Sequence, residues 1–409
     1  MRNVFRNAAY RKLFGAQVVA LIGTGLLTVA LGLLAFDLAG GDAGIVLGTA
    51  FTIKMLAYVG LAPVVSAITS HLPRKALLVS ADALRAAVAL SLPFVTEVWQ
   101  IYLLVFALQA ASATFTPAFQ ALIPEVLPDE RDYTRALSLS RLAYDLESLL
   151  SPVLAAALLT VISYHSLFVG TALGFAGSAV LVLATVLPSR RPATPAPFLD
   201  RLTRGARVFR RTPELRGLLA MNLVVAAATA MVLVNTVVLV QGELGRPQTD
   251  FALALACYGA GSMIVALALP RLLERYPERR VMLLGCGILP VGMLLVALLA
   301  GAAASPAAWA GILATWFVLG AATALVLTPS ARLLRRASDD SNRPAVFAAQ
   351  FSLSHACYIL TYPLAGVLGS LLGLPATALI LAVIAAAAGL VAARAWPRAI
   401  PAGPVSIPA

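Results

Sequence analysis

Twelve blocks of apolar residues alternate with polar connections along the chain, and this alternation dominates its hydropathy pattern. Each block has roughly 20–25 residues, about the length that crosses a bilayer core as an α-helix. The unbroken Ala, Leu and Val runs lack the alternation typical of a membrane β-barrel. The pattern therefore predicts an all-α polytopic membrane protein with helices at 14–37, 44–69, 76–95, 98–122, 136–162, 166–187, 217–241, 250–270, 281–301, 307–330, 345–371 and 374–396.

The composition agrees with a membrane protein. Of the 409 residues, 60% are hydrophobic and only 12% are charged, and the mean hydropathy is +0.91. A soluble globular protein needs a polar exterior, which a chain of this composition does not supply.

The basic residues mark one side of the membrane. Of the 30 Lys and Arg residues, 26 lie in every second connection or at the termini, and the intervening connections hold Arg246 alone. This bias predicts that both termini and the basic connections lie in the cytoplasm, in a bacterial-type inner membrane. The net charge of +12 then reflects topology, and we expect no nucleic-acid partner.

The longest connection divides the chain near its middle, since the segment over 188–216 is rich in Pro and then basic. We expect it to be a cytoplasmic linker. It would join an N-terminal six-helix bundle over 1–187 to a C-terminal six-helix bundle over 217–409, which ends in a short cytoplasmic tail.

The two halves share short sequence similarities in the same order. HLPRKALLVSA (71–81) matches RYPERRVMLLG (275–285), and TPAFQALIPE (116–125) matches TPSARLLRRA (328–337). Further along, Pro152 aligns with Pro363. These matches predict a duplicated six-helix unit, and parallel repeats of this kind place a binding site where the halves meet near the midplane.

The chain resembles the major facilitator superfamily over essentially its whole length. Its segment 63–85 is similar to the family's exporter pattern at Arg74, Lys75, Asp82 and Arg85. TPAFQALIPEVLPDERDYTRALSL is similar to the efflux branch of macrolide and siderophore exporters, and DYTRALSLSRLAYDLE to nickel-resistance exporters. The resemblance implies two six-helix bundles around a central cavity. We expect the four matching residues to form a cytoplasmic gate.

The fifth predicted span carries three charges on one face. On a helical wheel, Tyr144 and Glu147 lie on one stripe and Arg141 and Asp145 on the next, while the opposite half is apolar. Such a face must look into protein or a water-filled cavity. Arg141 and Asp145 are spaced to pair. Glu147 points away from them, so we expect Glu147, or Asp145 when its pairing breaks, to carry a coupling proton. The alternative is a purely structural role.

Other intramembrane polar residues complete a predicted cavity. His355, Tyr358 and Tyr362 share an arc of the eleventh span, and an imidazole suits proton transfer. Lys54 lies mid-span in the second helix, where we expect a carboxylate of another helix or an anionic group to meet it. The full set of predicted cavity residues is Lys54, Tyr58, Gln109, Arg141, Tyr144, Asn235, Tyr358 and Tyr362, with Glu147, Asp145 and His355 for proton coupling. Helix packing is the alternative reading of the polar groups.

The chain has no P-loop, HExxH, GxSxG or CxxC motif, so we expect neither an ATP-driven pump nor an enzyme, and no catalytic residue, cofactor or resident metal. We predict a secondary transporter that exports a small amphipathic, drug-like compound by proton antiport and alternating access. The alternatives are a divalent metal (nickel or cobalt) exporter and a non-transporting receptor. The expected partners are the lipid bilayer, the substrate and protons, and we expect a monomer.

Overall fold

Helices form the whole regular framework of the computed structural model, which describes residues 4–61, 73–186, 206–300, 305–338 and 343–396. No strand occurs within those ranges. The long helices are α1 (Ala8–Ala39), α2 (Ala43–Leu56), α3 (Arg74–Ser91), α4 (Val98–Val126), α5 (Glu130–Leu158), α6 (Tyr164–Leu183), α7 (Pro213–Val237), α8 (Gln248–Arg275), α9 (Glu278–Ala300), α10 (Pro306–Arg336), α11 (343–372) and α12 (374–395). They confirm the all-α prediction.

The last two helices form one helical stretch of 53 residues, Arg343–Ala395, broken at Gly373. As a straight helix it would be roughly 80 Å long, whereas the hydrocarbon core of a bilayer is about 30 Å thick. Gly373 has φ 78°, a left-handed conformation that costs glycine little because it has no Cβ. The break therefore turns the stretch into a hairpin of two crossings.

The described residues contain nine apolar stretches that are long enough to span a membrane. Two of them, Ala8–Gly60 and the 47-residue Ala349–Ala395, each hold a helical hairpin. Within the first, α1 ends at Gly40, which also has a positive φ. The remaining long helix is α5, whose charges set it apart from the nine. The described helices thus lie where the twelve spans were predicted, with ends that differ by up to about six residues. The exception is the second span, whose predicted end at residue 69 lies outside the described residues.

The helices of each half pack mainly on one another. In the first half α6 packs on α1 and α3, and in the second half α7 packs on the α11–α12 stretch and α8 on α10. Most of the contact between the halves comes from two pairs, α2 with α11 and α5 with α8, and smaller contacts join α1 and α2 to α7. The predicted linker lies largely over residues 187–205, outside the described ranges, so the division into bundles over 1–187 and 217–409 stays a prediction.

One capping contact occurs at equivalent places in the two halves. Lys75, at the start of α3, donates from Nζ to the Thr185 carbonyl after α6, at 3.0 Å. Arg279, at the start of α9, donates to the carbonyls of Trp396 and Ala393 at the end of α12, both at 2.9 Å. Cations are favourable at a helix C-terminus, where carbonyls lack intrahelical partners. The equivalence agrees with the predicted repeat.

Glycines let α8 and α10 approach at backbone distance. A Cβ on Gly320 would overlap the carbonyl of Tyr258, and a Cβ on Gly261 would overlap the carbonyl of Phe317. Small residues at such crossings are how membrane helices bring their backbones together. The close crossing also fixes the height of Tyr258 relative to α10.

We predict that Gly320→Ala destabilises the protein by about 1–3 kcal/mol, the usual cost of forcing extra volume into a packed interface. Gly287→Ala in α9 is the matched control, because Gly287 is exposed and a Cβ there meets nothing within 4 Å. Thermal unfolding of the purified variants in detergent measures the difference. Equal melting temperatures for the two variants would show that the α8–α10 crossing is looser than described.

Candidate functional site

Lys54, Glu147 and His355 come from three helices, α2, α5 and α11, and converge in one region. Lys54 lies within electrostatic range of both Glu147 and His355. Its ammonium group is 5.8 Å from the ring centroid of Tyr58, which follows one turn later in a π-helical segment, Ala57–Leu61. Among the described side chains neither Lys54 nor Glu147 forms a direct ion pair. Lys54 therefore lies near a carboxylate of another helix without forming an ion pair with it.

Six rings form an aromatic column along the line where α2 meets α11. On α11 the rings recur every three or four residues, a spacing that puts them on one helix face. Centroid distances are 5.3 Å from Phe51 to Tyr362, 5.1 Å from Tyr362 to Tyr358, 6.4 Å from Tyr358 to His355, 4.1 Å from His355 to Phe351 and 5.8 Å from His355 to Tyr58. The column thus joins the first half of the chain to the second.

Part of the polar face of α11 packs against α7. Thr361 is buried, and its hydroxyl donates to the Ala226 carbonyl of α7 at 3.1 Å. Tyr362 is buried too, whereas Phe351 is 44% exposed. Only the end of the column nearer Phe351 is open at the molecular surface.

The polar stripe of α5 turns toward α1. Ser140 donates to Oε1 of Gln17 at 2.9 Å. Glu147 and Ser151, one and two turns beyond Tyr144, pack against Gly25 of α1. A Cβ on Gly25 would overlap Ser151. Tyr144 is 40% exposed, so this face of α5 combines a helix contact with an open edge.

The side chains of Arg74, Arg141 and Asp145 lie outside the described part of the structure. The predicted Arg141–Asp145 pair, and the place of Arg74 in the gate, therefore stay predictions.

Two predicted cavity residues are buried in helix contacts. Asn235 of α7 donates from Nδ2 to the Ala365 carbonyl of α11 at 3.1 Å. Gln109 of α4 is 8% exposed. The Asn235 contact agrees with helix packing, whereas the buried Oε1 of Gln109 has no hydrogen-bond partner among the described residues.

The described gate residues separate into two groups. Lys75 caps α6, as above. Asp82 and Arg85 lie seven and ten residues further along α3, roughly 10–15 Å deeper at the rise of an α-helix, where they form a buried ion pair. The sequence grouped them because they are close along the chain, but the length of the helix separates them in space.

A hydroxyl cluster in the second half was not singled out from the sequence as a group. Tyr258 of α8 lies 3.3 Å from the Thr229 hydroxyl of α7 and donates to Thr323 of α10 at 3.2 Å. A tyrosine within an apolar span was the available signal, because a buried phenol needs a hydrogen-bonding partner.

Comparison with known proteins identifies the family. The sequence profile of the Major Facilitator Superfamily matches residues 13–288 and, in a second match, 218–409. The chain belongs to the Major Facilitator Superfamily. It is a transporter of that superfamily, embedded in a membrane through many crossings.

Two curated relatives share a modest sequence identity with the chain. The chain is 27% identical over 329 residues to the uncharacterized MFS-type transporter YfiS of Bacillus subtilis (strain 168), covering 76% of this chain and 75% of that one. It is 24% identical over 215 residues to macrolide efflux protein A of Streptococcus pyogenes, covering 51% of this chain. That second match spans 52% of the relative's length.

Solved structures share the fold of this transporter. A bacterial homologue of the human lysosomal transporter Spinster, in an inward-facing, unoccupied conformation, has a TM-score of 0.75 at 13% identity, covering 95% of this chain and 98% of that one. The nucleoside transporter NupG has a TM-score of 0.70 at 14% identity, covering 95% and 98%. At these identities the likeness shows the fold alone.

The transporter is tightly closed where the start of α2 meets the end of α11. A Cβ on Gly48 would meet the Tyr362 carbonyl at 2.6 Å, and a Cβ on Gly366 would overlap the carbonyl of Gly44. Beyond this crossing, Ser370 donates to Asp42 in the connection between α1 and α2. The two halves therefore touch through backbone contacts at the face opposite the Lys75 cap.

No group of three or more His, Cys, Asp or Glu side chains able to hold a metal ion occurs among the described residues.

We predict that the exposed edge of α5 at Tyr144 is in contact with water. In a variant with Cys257, Cys286 and Cys357 replaced by serine, Tyr144→Cys should react with a water-soluble, membrane-impermeant thiol reagent. Leu150→Cys is the control, because Leu150 is 50% exposed on another face of the same helix and an apolar side chain there suits lipid. The measurement is the labelling rate in open membrane fragments. Equal rates at the two positions, or a silent Tyr144→Cys, would contradict a hydrated cavity at this edge.

Proposed function

We propose that this transporter exports a small amphipathic organic compound across the cytoplasmic membrane in exchange for protons, by alternating access between its two halves. Both termini would lie in the cytoplasm, as the basic connections indicate. The observation that carries the proposal is the position of Glu147. It is an ionisable group at membrane depth, held between Gly25 and the open edge at Tyr144, in the field of Lys54 without a direct ion pair.

An acidic side chain in this position suits proton exchange. A charged group inside a membrane is costly and marks ion or proton pathways. Glu147 can be ionised opposite Lys54 and neutral when protonated, so its charge state and the demand of Lys54 for a counter-ion change together. His355, in the same field, is the second group in the proposal, and Asp145 is the third.

The aromatic column and the hydroxyl cluster support an organic substrate. Ring stacking and apolar contact come from Tyr58, Phe351 and Tyr358, and hydrogen bonding is available around Tyr258. Binding sites for small molecules usually combine an apolar wall with a few polar groups. The similarity to macrolide efflux protein A makes macrolides the first compounds to test.

The contacts between the halves support alternating access. The glycine crossing of α2 and α11 and the contact of Ser370 with Asp42 close one face. In the proposal, the cavity opens toward the cytoplasm while this face is closed. Export requires these contacts to separate in the other half of the cycle. No specific observation in the described residues favours a divalent metal as the substrate, and the export assay includes nickel and cobalt to test it.

We predict that Glu147→Gln abolishes proton-driven export, because glutamine keeps the shape of the side chain and cannot bind and release a proton. Purified protein in proteoliposomes, with an imposed pH gradient and a radiolabelled macrolide, gives the rate directly. The expected result is a loss of at least about tenfold, equivalent to roughly 1.4 kcal/mol.

Glu274→Gln is the matched control. Glu274 is exposed in the last turn of α8, so the same loss of one carboxylate there should leave export unchanged. Full proton-driven export by Glu147→Gln would remove Glu147 from the mechanism. Export by the wild-type protein that ignores the pH gradient would overturn proton antiport altogether.

We predict that joining Asp42→Cys to Ser370→Cys with a short thiol cross-linker stops export, because it holds the two halves together at the closed face. The background again has Cys257, Cys286 and Cys357 replaced by serine. A cleavable reagent should restore export when it is reduced.

Each single-cysteine variant, treated with the same reagent, controls for modification without cross-linking. Undiminished export by the cross-linked double variant would show that these contacts need not separate during transport.

A further inference from the structure

A buried ion pair inside the first half of the transporter has no role in the mechanism proposed above. Asp82 is 0% exposed and Arg85 is 5% exposed, and Nη2 of Arg85 donates to Oδ1 of Asp82. The guanidinium lies between two rings, 4.2 Å from the centroid of Phe115 in α4 and 4.6 Å from that of Phe175 in α6. The pair is therefore enclosed by α3, α4 and α6.

The pair is incompletely hydrogen-bonded. Oδ2 of Asp82, Nε of Arg85 and Oγ of Ser178 are buried without a hydrogen-bond partner, and Ser178 lies beside the Asp82 carboxylate. Nearly all buried polar groups in native proteins are paired, so three orphans in one cluster call for an explanation. The Ser178 hydroxyl can donate to the ionised carboxylate, and after protonation Oδ2 can instead donate to that hydroxyl, so this cluster can hold Asp82 in either charge state.

Stability alone does not explain why the chain keeps this pair. Replacing a buried ion pair by apolar residues of similar volume is often neutral or stabilising, whereas removing one partner is strongly destabilising. An ion pair whose carboxylate can be protonated can serve another purpose, because protonation of the carboxylate removes the counter-ion of the arginine.

Arg85 connects the pair to the candidate site. It lies within electrostatic range of Tyr58 in the π-helical segment after α2 and of Tyr144 in α5. Tyr144 in turn lies within range of Glu147. A guanidinium that turns toward either phenol can donate a hydrogen bond to its oxygen, and both phenols border the site of Lys54 and Glu147.

We propose that Asp82 is a further proton-binding carboxylate of the transport cycle and that Arg85 is the positioning residue that transmits its state to Tyr58 and Tyr144. The proposal rests on the proton antiport proposed above. A proton from water adds to the Asp82 carboxylate, which becomes a neutral acid and can donate to Ser178. Arg85 then loses its counter-ion, and its guanidinium is free to turn toward the two phenols.

The charged and titratable groups around Asp82 are few within the described residues. Arg85 is on its own helix, Tyr58 follows α2, and Tyr144 and Glu147 are on α5. The faces of α4 and α6 against the pair present rings and the Ser178 hydroxyl.

Infrared difference spectroscopy of the full-length protein in lipid, between mildly alkaline and mildly acidic buffer, tests the proton site without any substrate. We expect two bands of buried carboxylic acids in the wild-type protein. Asp82→Asn should remove one of them and Glu147→Gln the other. Asp132→Asn should remove neither, because Asp132 forms a pair of the same spacing with Arg135 at an exposed position, at 3.0 Å.

Thiol labelling tests the positioning role. The thiolate is the reactive form of cysteine, so each labelling rate is divided by the rate of a free thiol at the same pH. In the cysteine-free background, this normalised rate of Tyr144→Cys should depend on pH, and the dependence should disappear when Asp82→Asn or Arg85→Gln is added. Arg85→Gln should keep the Asp82 infrared band. If a single change prevents folding, Asp82→Asn with Arg85→Gln removes both charges while leaving a polar side chain at each position, and should likewise lack the band.

Wild-type bands in Asp82→Asn or in the double variant would overturn the proton site, and unchanged pH-dependent labelling in Arg85→Gln would overturn the positioning role. Both outcomes can be told apart from a failure of proton antiport, because in that case export by the wild-type protein would not depend on the pH gradient.

Discussion

An ionised side chain inside a bilayer loses its hydration, and the effective penalty is several kcal/mol for each ion unless another charge or a wet surface compensates. The intramembrane charges of this transporter follow that constraint in two ways. Arg85 is paired with Asp82 and lies between two rings. Lys54 instead faces Glu147 at a distance, next to an open edge. The first arrangement shields the charge from solvent, and the second leaves it without a direct counter-ion.

Close backbone contacts then decide which surfaces can exist. Where lipid is as apolar as the side chains, helices associate through close packing more than through burial of apolar surface. Glycines make that possible at the α8–α10 crossing, at Gly25 and where α2 meets α11. The same crossings place Tyr258, Glu147 and Tyr362 at fixed heights. The arrangement of polar groups is thus a by-product of how closely the backbones approach.

Much of the fold was accessible from hydropathy, because each span must be long and apolar, and the described helices overlap the predicted spans. The sequence could not show that Asn235 binds a backbone carbonyl or that Asp82 and Arg85 lie deep among α3, α4 and α6. Those outcomes depend on helix rotation and depth, which a single helical wheel leaves open. Tyr258 was missed because its partners lie on two other helices.

Gly373 leaves no loop between α11 and α12, and only Gly40–Asp42 connects α1 to α2. Proteases cleave, and tolerated insertions accumulate, at exposed loop tips. The face of the molecule that holds these two connections therefore offers a protease or an antibody very little extended chain at either place. An epitope tag would be accommodated better between α5 and α6, at residues 159–163, where several residues lie outside helix.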